Sequence, residues 1–250
     1  MCRLLGVVAN RRRPISDLLA RDLDPFLALA AEHRDGWGVG LRGDDGTITS
    51  VKSTDRADTS FPLRSLLNLT STDAALLHLR MASPGFGVTV ANTHPFGDDT
   101  VAFAHNGDFT PSTAIDEILG AQTLALAAGE TDSERFHLAV WRRLTEGSDP
   151  ADAILRTASD IRARADHFAS LNCMLMTRDA LYTYVESDPD SDVISRRGDG
   201  YFGIHYRQDQ DAVVVASVGW PRPESEWTAL PERHVLKVSP STLEVSVIGA

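Results

Sequence analysis

The order of apolar runs constrains this chain more than any other feature: strand-length stretches stand at both ends and helical periodicity fills the middle. Residues 3–9 form a short apolar run that starts directly after Cys2. Residues 37–41 and 47–52 read as a hairpin across Gly43-Asp44-Asp45-Gly46, and 74–80 and 101–105 are apolar runs ending in polar residues. Between the first run and the hairpin, 14–32 carries Leu18, Leu19, Leu23, Phe26, Leu27 and Ala30 at helical spacing, with Ser16 or Asp17 as its cap. Helices are expected at 112–119, at 132–145 behind a cap at Thr131 or Asp132, and at 150–161. From Leu171 onward the pattern returns to strands, at 173–177, 180–185, 193–195, 203–206, 212–217, 235–238 and 243–248. No repeat or Ser/Gly-rich linker divides the chain, so residues 1–250 are read as one domain with surface loops at 188–192 and 221–231. Helices set among the strands of two sheets imply a layered α+β sandwich.

Charge narrows the partners. With 24 Lys+Arg against 35 Asp+Glu the net charge is −11, a surface that repels nucleic acid and anionic lipid. The one dense basic run, Arg11-Arg12-Arg13, is too short for a nucleic-acid stripe and reads as a solvated turn. Neither a membrane-spanning stretch nor a signal peptide is legible, which predicts a cytoplasmic protein acting on a small molecule, without nucleic-acid or membrane partners. Cys2 and Cys173 are expected as free thiols, and the scattered histidines have no metal-site spacing, so no metal is expected.

Cys2 follows Met1, and a small second residue favours methionine removal. The mature chain would then begin with a thiol beside a free α-amine, whose ordinary pKa of about 7.7 to 8.0 suits it to accept the proton of a thiol near 8.5. One residue would supply nucleophile and base. Position alone is weak evidence, and four internal segments add to it: His78-Leu79-Arg80-Met81-Ala82-Ser83, Asn92-Thr93-His94-Pro95-Phe96, Ala104-His105-Asn106-Gly107-Asp108-Phe109 and Thr131-Asp132-Ser133-Glu134. With Met1-Cys2-Arg3-Leu4-Leu5-Gly6 and His33-Arg34-Asp35-Gly36-Trp37-Gly38, they resemble in order and spacing the class II glutamine amidotransferases of the N-terminal-nucleophile hydrolases. The likeness is strongest over residues 1 to about 140 and continues more weakly to Trp227. It is greatest to the stand-alone branch that includes the γ-glutamyl hydrolases of ergothioneine synthesis and glutathione breakdown.

The resemblance implies a four-layer αββα sandwich with Cys2 at the exposed end of a central strand. It makes Cys2 the nucleophile, with the Asn106 side chain and the Gly107 N–H donating to the oxyanion of the tetrahedral intermediate. Asn-Gly by itself is most often a type I′ turn, so context carries that assignment. Arg80 would grip the substrate α-carboxylate through two parallel hydrogen bonds and Asp132 would accept from its α-ammonium. A strand-end salt bridge and a helix cap are the plain alternatives for that pair. Ser83 and His94 are placed at the substrate site. A Cys–His pair using His78 or His94 is disfavoured, because the family uses the α-amine. Asp35-Gly36-Trp37-Gly38 is expected to turn tightly near the pocket with Trp37 as wall, and Cys173 to be an inert thiol in a buried strand.

The expected reaction is hydrolysis of the side-chain amide of glutamine or of a γ-glutamyl amide through a thioester, with no cofactor. Met81 stands where synthase-type relatives carry an aromatic residue, which favours the hydrolase. The alternatives are a glutaminase subunit that hands ammonia to a separate synthase partner, and a non-catalytic sensor of glutamine-like ligands.

Overall fold

A strand that is apolar on both sides needs a cover on both sides, and the first strand is of that kind. Leu5, Val7 and Ala9 on one face and Leu4 and Val8 on the other are all excluded from solvent, and the two sets belong to two different cores. The computed structural model describes residues 1–83 and 85–249. In chain order its elements are β1 (Arg3–Pro14), α1 (Ile15–Ala28), β2 (Trp37–Arg42), β3 (Ile48–Ser53), α2 (Phe61–Leu69), β4 (Ser71–Leu79), β5 (Phe96–Gly97), β6 (Val101–Thr110), α3 (Asp116–Leu124), α4 (Asp132–Thr145) and α5 (Pro150–Arg164). They continue with β7 (His167–Thr177), β8 (Leu181–Val185), α6 (Asp192–Arg197), β9 (Ile204–Gln208), β10 (Ala212–Ser217), β11 (Thr228–Ala229), β12 (His234–Val238) and β13 (Val245–Gly249).

Two antiparallel sheets stack face to face. The first has the order β11-β9-β10-β1-β4-β2-β3 and the second β13-β12-β8-β7-β6-β5. Leu4, Val8, Leu76 and Val215 of the first sheet meet Ala102, Ala104, Met174, Met176 and Leu236 of the second in the central core. α1 and α2 cover the outer face of the first sheet through Leu19, Leu23, Phe26, Leu63 and Leu67. On the far side α4 and α5 cover the second sheet, with Phe136, Val140, Ile154 and Ile161 against Phe103, Leu175 and Tyr184. The molecule is thus the four-layer αββα sandwich expected of it.

Local departures have local reasons. Residues 193–195, read as a strand from Val193 and Ile194, lie in α6, whose start is capped by Ser191 Oγ accepting from the Ile194 N–H. Arg11-Arg12-Arg13 is no turn. It extends β1, and the three side chains meet Asp211, Asp44 and Asp73. α1 begins after Pro14 without a side-chain cap, so neither Ser16 nor Asp17 serves, and it breaks at Ala20 (φ 25°, ψ −96°). The segment 221–231 holds a short 3₁₀ turn and β11. Two further elements had not been foreseen. α2 is capped by Ser60, whose Oγ accepts from the Leu63 N–H, and β5 pairs Phe96 with Phe103.

Candidate active site

The pairing of β1 with β4 sets Arg3 opposite Leu79, so Cys2 and Arg80 lie side by side where the two strands end. Cys2 is buried, its Sγ 3.5 Å from the Met81 nitrogen and 3.6 Å from the Met81 oxygen. Its carbonyl accepts from Arg3 Nη1 at 3.0 Å, and, two residues on, the Leu4 N–H donates to Ser217 Oγ at 2.9 Å. Burial pushes the thiol pKa up, opposed by the N-terminal ammonium, the Met81 backbone and Arg80. A thiol so placed stays protonated until a base adjoins it.

Arg80 is fixed by the segment 35–38. Its N–H donates to the Gly36 carbonyl, its carbonyl accepts from the Asp35 N–H, and Asp35 Oδ2 accepts from the Ala82 N–H at 2.8 Å. Gly38 serves a different contact: a Cβ there would lie 1.9 Å from the His94 carbonyl oxygen, so only glycine lets that loop close on β2. Trp37 is buried as a wall. Arg80 Nη2 donates to the Gly87 carbonyl at 3.0 Å, while the buried Nη1 has no partner among the described residues.

From the second sheet, β6 brings Asn106 and Gly107. They occupy the middle of a strand, opposite Asn172 and Leu171 of β7, and not a turn. Alternation along β6 sends Ala102 and Ala104 into the central core shared with Leu4 and Val8, and carries Asn106 to the same interior face that Cys2 approaches from β1. Asn106 is fully buried, and neither its Oδ1 nor its Nδ2 has a partner among the described residues. A Cβ on Gly107 would fall 1.7 Å from the Ser170 oxygen, so the close approach of β6 to β7 requires glycine there. His78 Nε2 donates to the His105 carbonyl at 3.3 Å and ties the two sheets together beside Arg80 and Asn106.

Asp132 opens α4, but the cap is Thr131, whose Oγ1 accepts from the Glu134 N–H at 3.1 Å. The Asp132 carboxylate is therefore free of capping, and its Oδ2 accepts from the Phe109 N–H at 3.0 Å. Burial raises its pKa to about 6 against the pull of that hydrogen bond. Asp108, also raised by burial and by the neighbouring Asp132 charge, reaches toward the N-terminus. A cavity of about 500 Å³ lies against Met1 and Met81, the residues on either side of Cys2, and is lined also by Ser83, Asp108, Arg196 and Tyr201.

The other residues singled out from sequence do not line that cavity. His94 is buried with its ring against His78 at 4.1 Å and Phe96 at 4.6 Å, away from the lining of that cavity, and burial holds its pKa well below the usual value. His78, pushed down to about 3 by burial, is neutral as well. Cys173 is fully buried in β7, its thiol pKa pushed far up. The sequence reading passed over Asp35, Asp108 and Ser133. All three lie inside segments quoted above, so each carried the signal of its motif without an assigned role.

Residues 1–223 match the family of class II glutamine amidotransferases, and the chain belongs to that family. Solved structures share the fold. A glutamine aminotransferase class-II domain protein from Silicibacter pomeroyi is 19% identical with a TM-score of 0.69, covering 99% of this chain and 99% of its own. A predicted glutamine amidotransferase from Pseudomonas aeruginosa is 18% identical with a TM-score of 0.58, over 98% of this chain and 99% of its own. Glutamine phosphoribosylpyrophosphate amidotransferase from B. subtilis is 17% identical with a TM-score of 0.62, over 98% of this chain and 49% of its own, so the present chain spans about half of that enzyme. Among curated proteins no sequence matches. No described helix is long and apolar enough to cross a membrane.

Proposed function

We propose that the protein is an amidohydrolase that uses Cys2, freed by removal of Met1, to cleave the side-chain amide of glutamine or of a γ-glutamyl compound. The observation that carries this reading is a set of buried polar atoms without partners among the described residues: Nη1 of Arg80, beside Cys2, and both side-chain atoms of Asn106, on the interior face that Cys2 approaches. Burying such groups unpaired costs about 1 to 3 kcal/mol each, a cost that a bound substrate would relieve.

In the full-length chain the Cys2 nitrogen is a peptide nitrogen, so the base arises only when Met1 is cleaved. The free α-amine then takes the thiol proton and Sγ attacks the δ-carbonyl carbon. Asn106 and the Gly107 N–H donate to the oxyanion, each such donor being worth about 3 to 4 kcal/mol. The C–N bond breaks as the α-amine returns the proton to the leaving amine, and a thioester remains. Water deprotonated by the same amine attacks the thioester, releasing glutamate and restoring the thiol. Arg80 holds the substrate α-carboxylate and Asp132 its α-ammonium. Ser83 borders the cavity beside Met1 and Met81, which has room for a leaving amine larger than ammonia. The reaction needs no cofactor, and residues 1–250 act as one catalytic domain.

A second reading, in which the ammonia passes to a separate synthase partner, is favoured by the fold shared with phosphoribosylpyrophosphate amidotransferase, a chain about twice as long. A glutamine-like diazoketone tests the central claim. One label is expected, at Cys2, slowed by excess γ-glutamyl substrate and absent when an uncleavable extension precedes Cys2. Equal labelling of the extended chain would replace the enzyme with a ligand sensor.

A further inference from the structure

Ser133 stands between two acceptors and owns one hydroxyl proton. Its Oγ lies 2.9 Å from His105 Nδ1 and 3.5 Å from Asp132 Oδ1. The imidazole decides between them. His105 Nε2 is 3.0 Å from the Ser170 carbonyl oxygen, and because a carbonyl only accepts, Nε2 carries the ring hydrogen. His105 is buried against Phe136 and kept neutral by that burial, its pKa pushed down to about 4. A neutral ring protonated at Nε2 presents a lone pair at Nδ1, so the Ser133 O–H turns to it. Asp132 Oδ2 already accepts the Phe109 N–H and the carboxyl also feels the main-chain N–H groups of Asp132 and Ser133, so with the hydroxyl turned away no side chain among the described residues donates to Oδ1.

We propose that His105 is a positioning residue: by drawing the Ser133 hydroxyl proton to its own Nδ1, it keeps Asp132 Oδ1 free to receive the α-ammonium of the substrate. The role assigned to the open oxygen rests on the function proposed above. The place of the proton does not. The same bond to Ser170 runs beside Gly107, where a Cβ would lie 2.7 Å from His105 Nε2, so the ring is clamped between the oxyanion strand and β7. The titratable group facing Asp132 directly is Asp108 of β6, His105 reaches it through Ser133, and Asp108 in turn faces the N-terminal ammonium.

The experiment follows the Asp132 carboxyl by carbon-13 NMR through a pH titration of the full chain, with no substrate present. Replacing the ring by His105→Phe removes the Nδ1 acceptor, the hydroxyl turns to Oδ1, and a charge-assisted bond to the carboxylate lowers its titration by about one pH unit. The double variant His105→Phe/Ser133→Ala returns to the higher value, so the difference between single and double isolates the hydroxyl from any change in burial. His105→Asn keeps an amide oxygen near the place of Nδ1 and titrates like the wild type. Ser133→Ala alone, a change the fold tolerates most easily, also titrates like the wild type, since that hydroxyl does not serve Asp132. A rise in Ser133→Ala, or equal titration of the single and double His105 variants, overturns the proposal. In turnover, His105→Phe raises KM about tenfold for a γ-glutamyl amide, leaves KM unchanged for the analogue lacking the α-amino group, and is rescued by Ser133→Ala. If the wild type releases no glutamate from any such amide, the proposed function falls while the carboxyl titration still decides the place of the proton.

Discussion

Gly107→Ala adds one methyl group where the structure has no room for it. The new Cβ would stand 1.7 Å from the Ser170 oxygen, against an ordinary contact of 3.4 Å or more, and 2.7 Å from His105 Nε2. The oxygen is main chain in β7 and cannot rotate away, so β6 and β7 must separate by more than an ångström at the centre of a ten-residue pairing. Overpacking of this kind costs about 1 to 3 kcal/mol. Displacing Ser170 also breaks its bond from His105 and leaves buried polar groups unpaired, another 1 to 3 kcal/mol or so. A total of about 4 kcal/mol corresponds to a fall in Tm of roughly 8 to 16 °C for a chain of this length. Thermal unfolding followed by circular dichroism reads the difference directly. A Tm within 2 °C of the wild type would refute the reasoning, because it would mean that the strands are not held as closely as the pairing and the buried His105 bond require.

Other expectations are separable. Arg80→Lys should raise KM at least tenfold with a smaller effect on kcat, since a point charge cannot grip a carboxylate in two places; unchanged KM makes Arg80 a structural residue. Asp132 has a folded-state pKa near 6, above the unfolded value, so its contribution favours the folded state below about pH 4 and is lost as pH rises through 6. Urea unfolding at pH 4.5 and 7.5 should therefore show wild type gaining on Asp132→Asn at the lower pH, by at most about 3 kcal/mol; no difference between the two pH values removes the burial argument. Cys173 should resist iodoacetamide in the native protein and react only on unfolding, as its burial and raised pKa require, and native modification there would show that β7 opens.

How far residues announced their own structure depended on the range of the forces that placed them. α4 was legible to its ends because its cap and its periodic apolar face are local. α6 was not: Val193 and Ile194 suggest a strand, while Ser191 ahead of them and Gly198 behind are the caps that win. α2 went unnoticed as a nine-residue helix, although Ser60 before Phe61-Pro62 is a start signal of the usual kind. Asn106-Gly107 carries a turn signature that pairing with β7 overrides, a long-range effect no window of sequence contains. The segments that supply the site were legible as motifs, and the strand ends at 79 and the start at 3 fit the expected delivery. What stayed hidden was pairwise geometry, such as Asp35 reaching Ala82 or Ser133 standing between His105 and Asp132.

Cys2 and Arg80 hang from one sheet, Asn106 and Gly107 from the other, and no covalent path shorter than the intervening loops joins them. The gap between Cys2 and the Asn106-Gly107 pair is therefore set by the thickness of the filling: Leu76 and Leu4 on one side, Ala102, Ala104, Met174 and Met176 on the other. Those side chains act as shims. A methyl group added or removed among them changes the reach of the thiol, so the spacing of the site and the interior volume are two readings of one dimension.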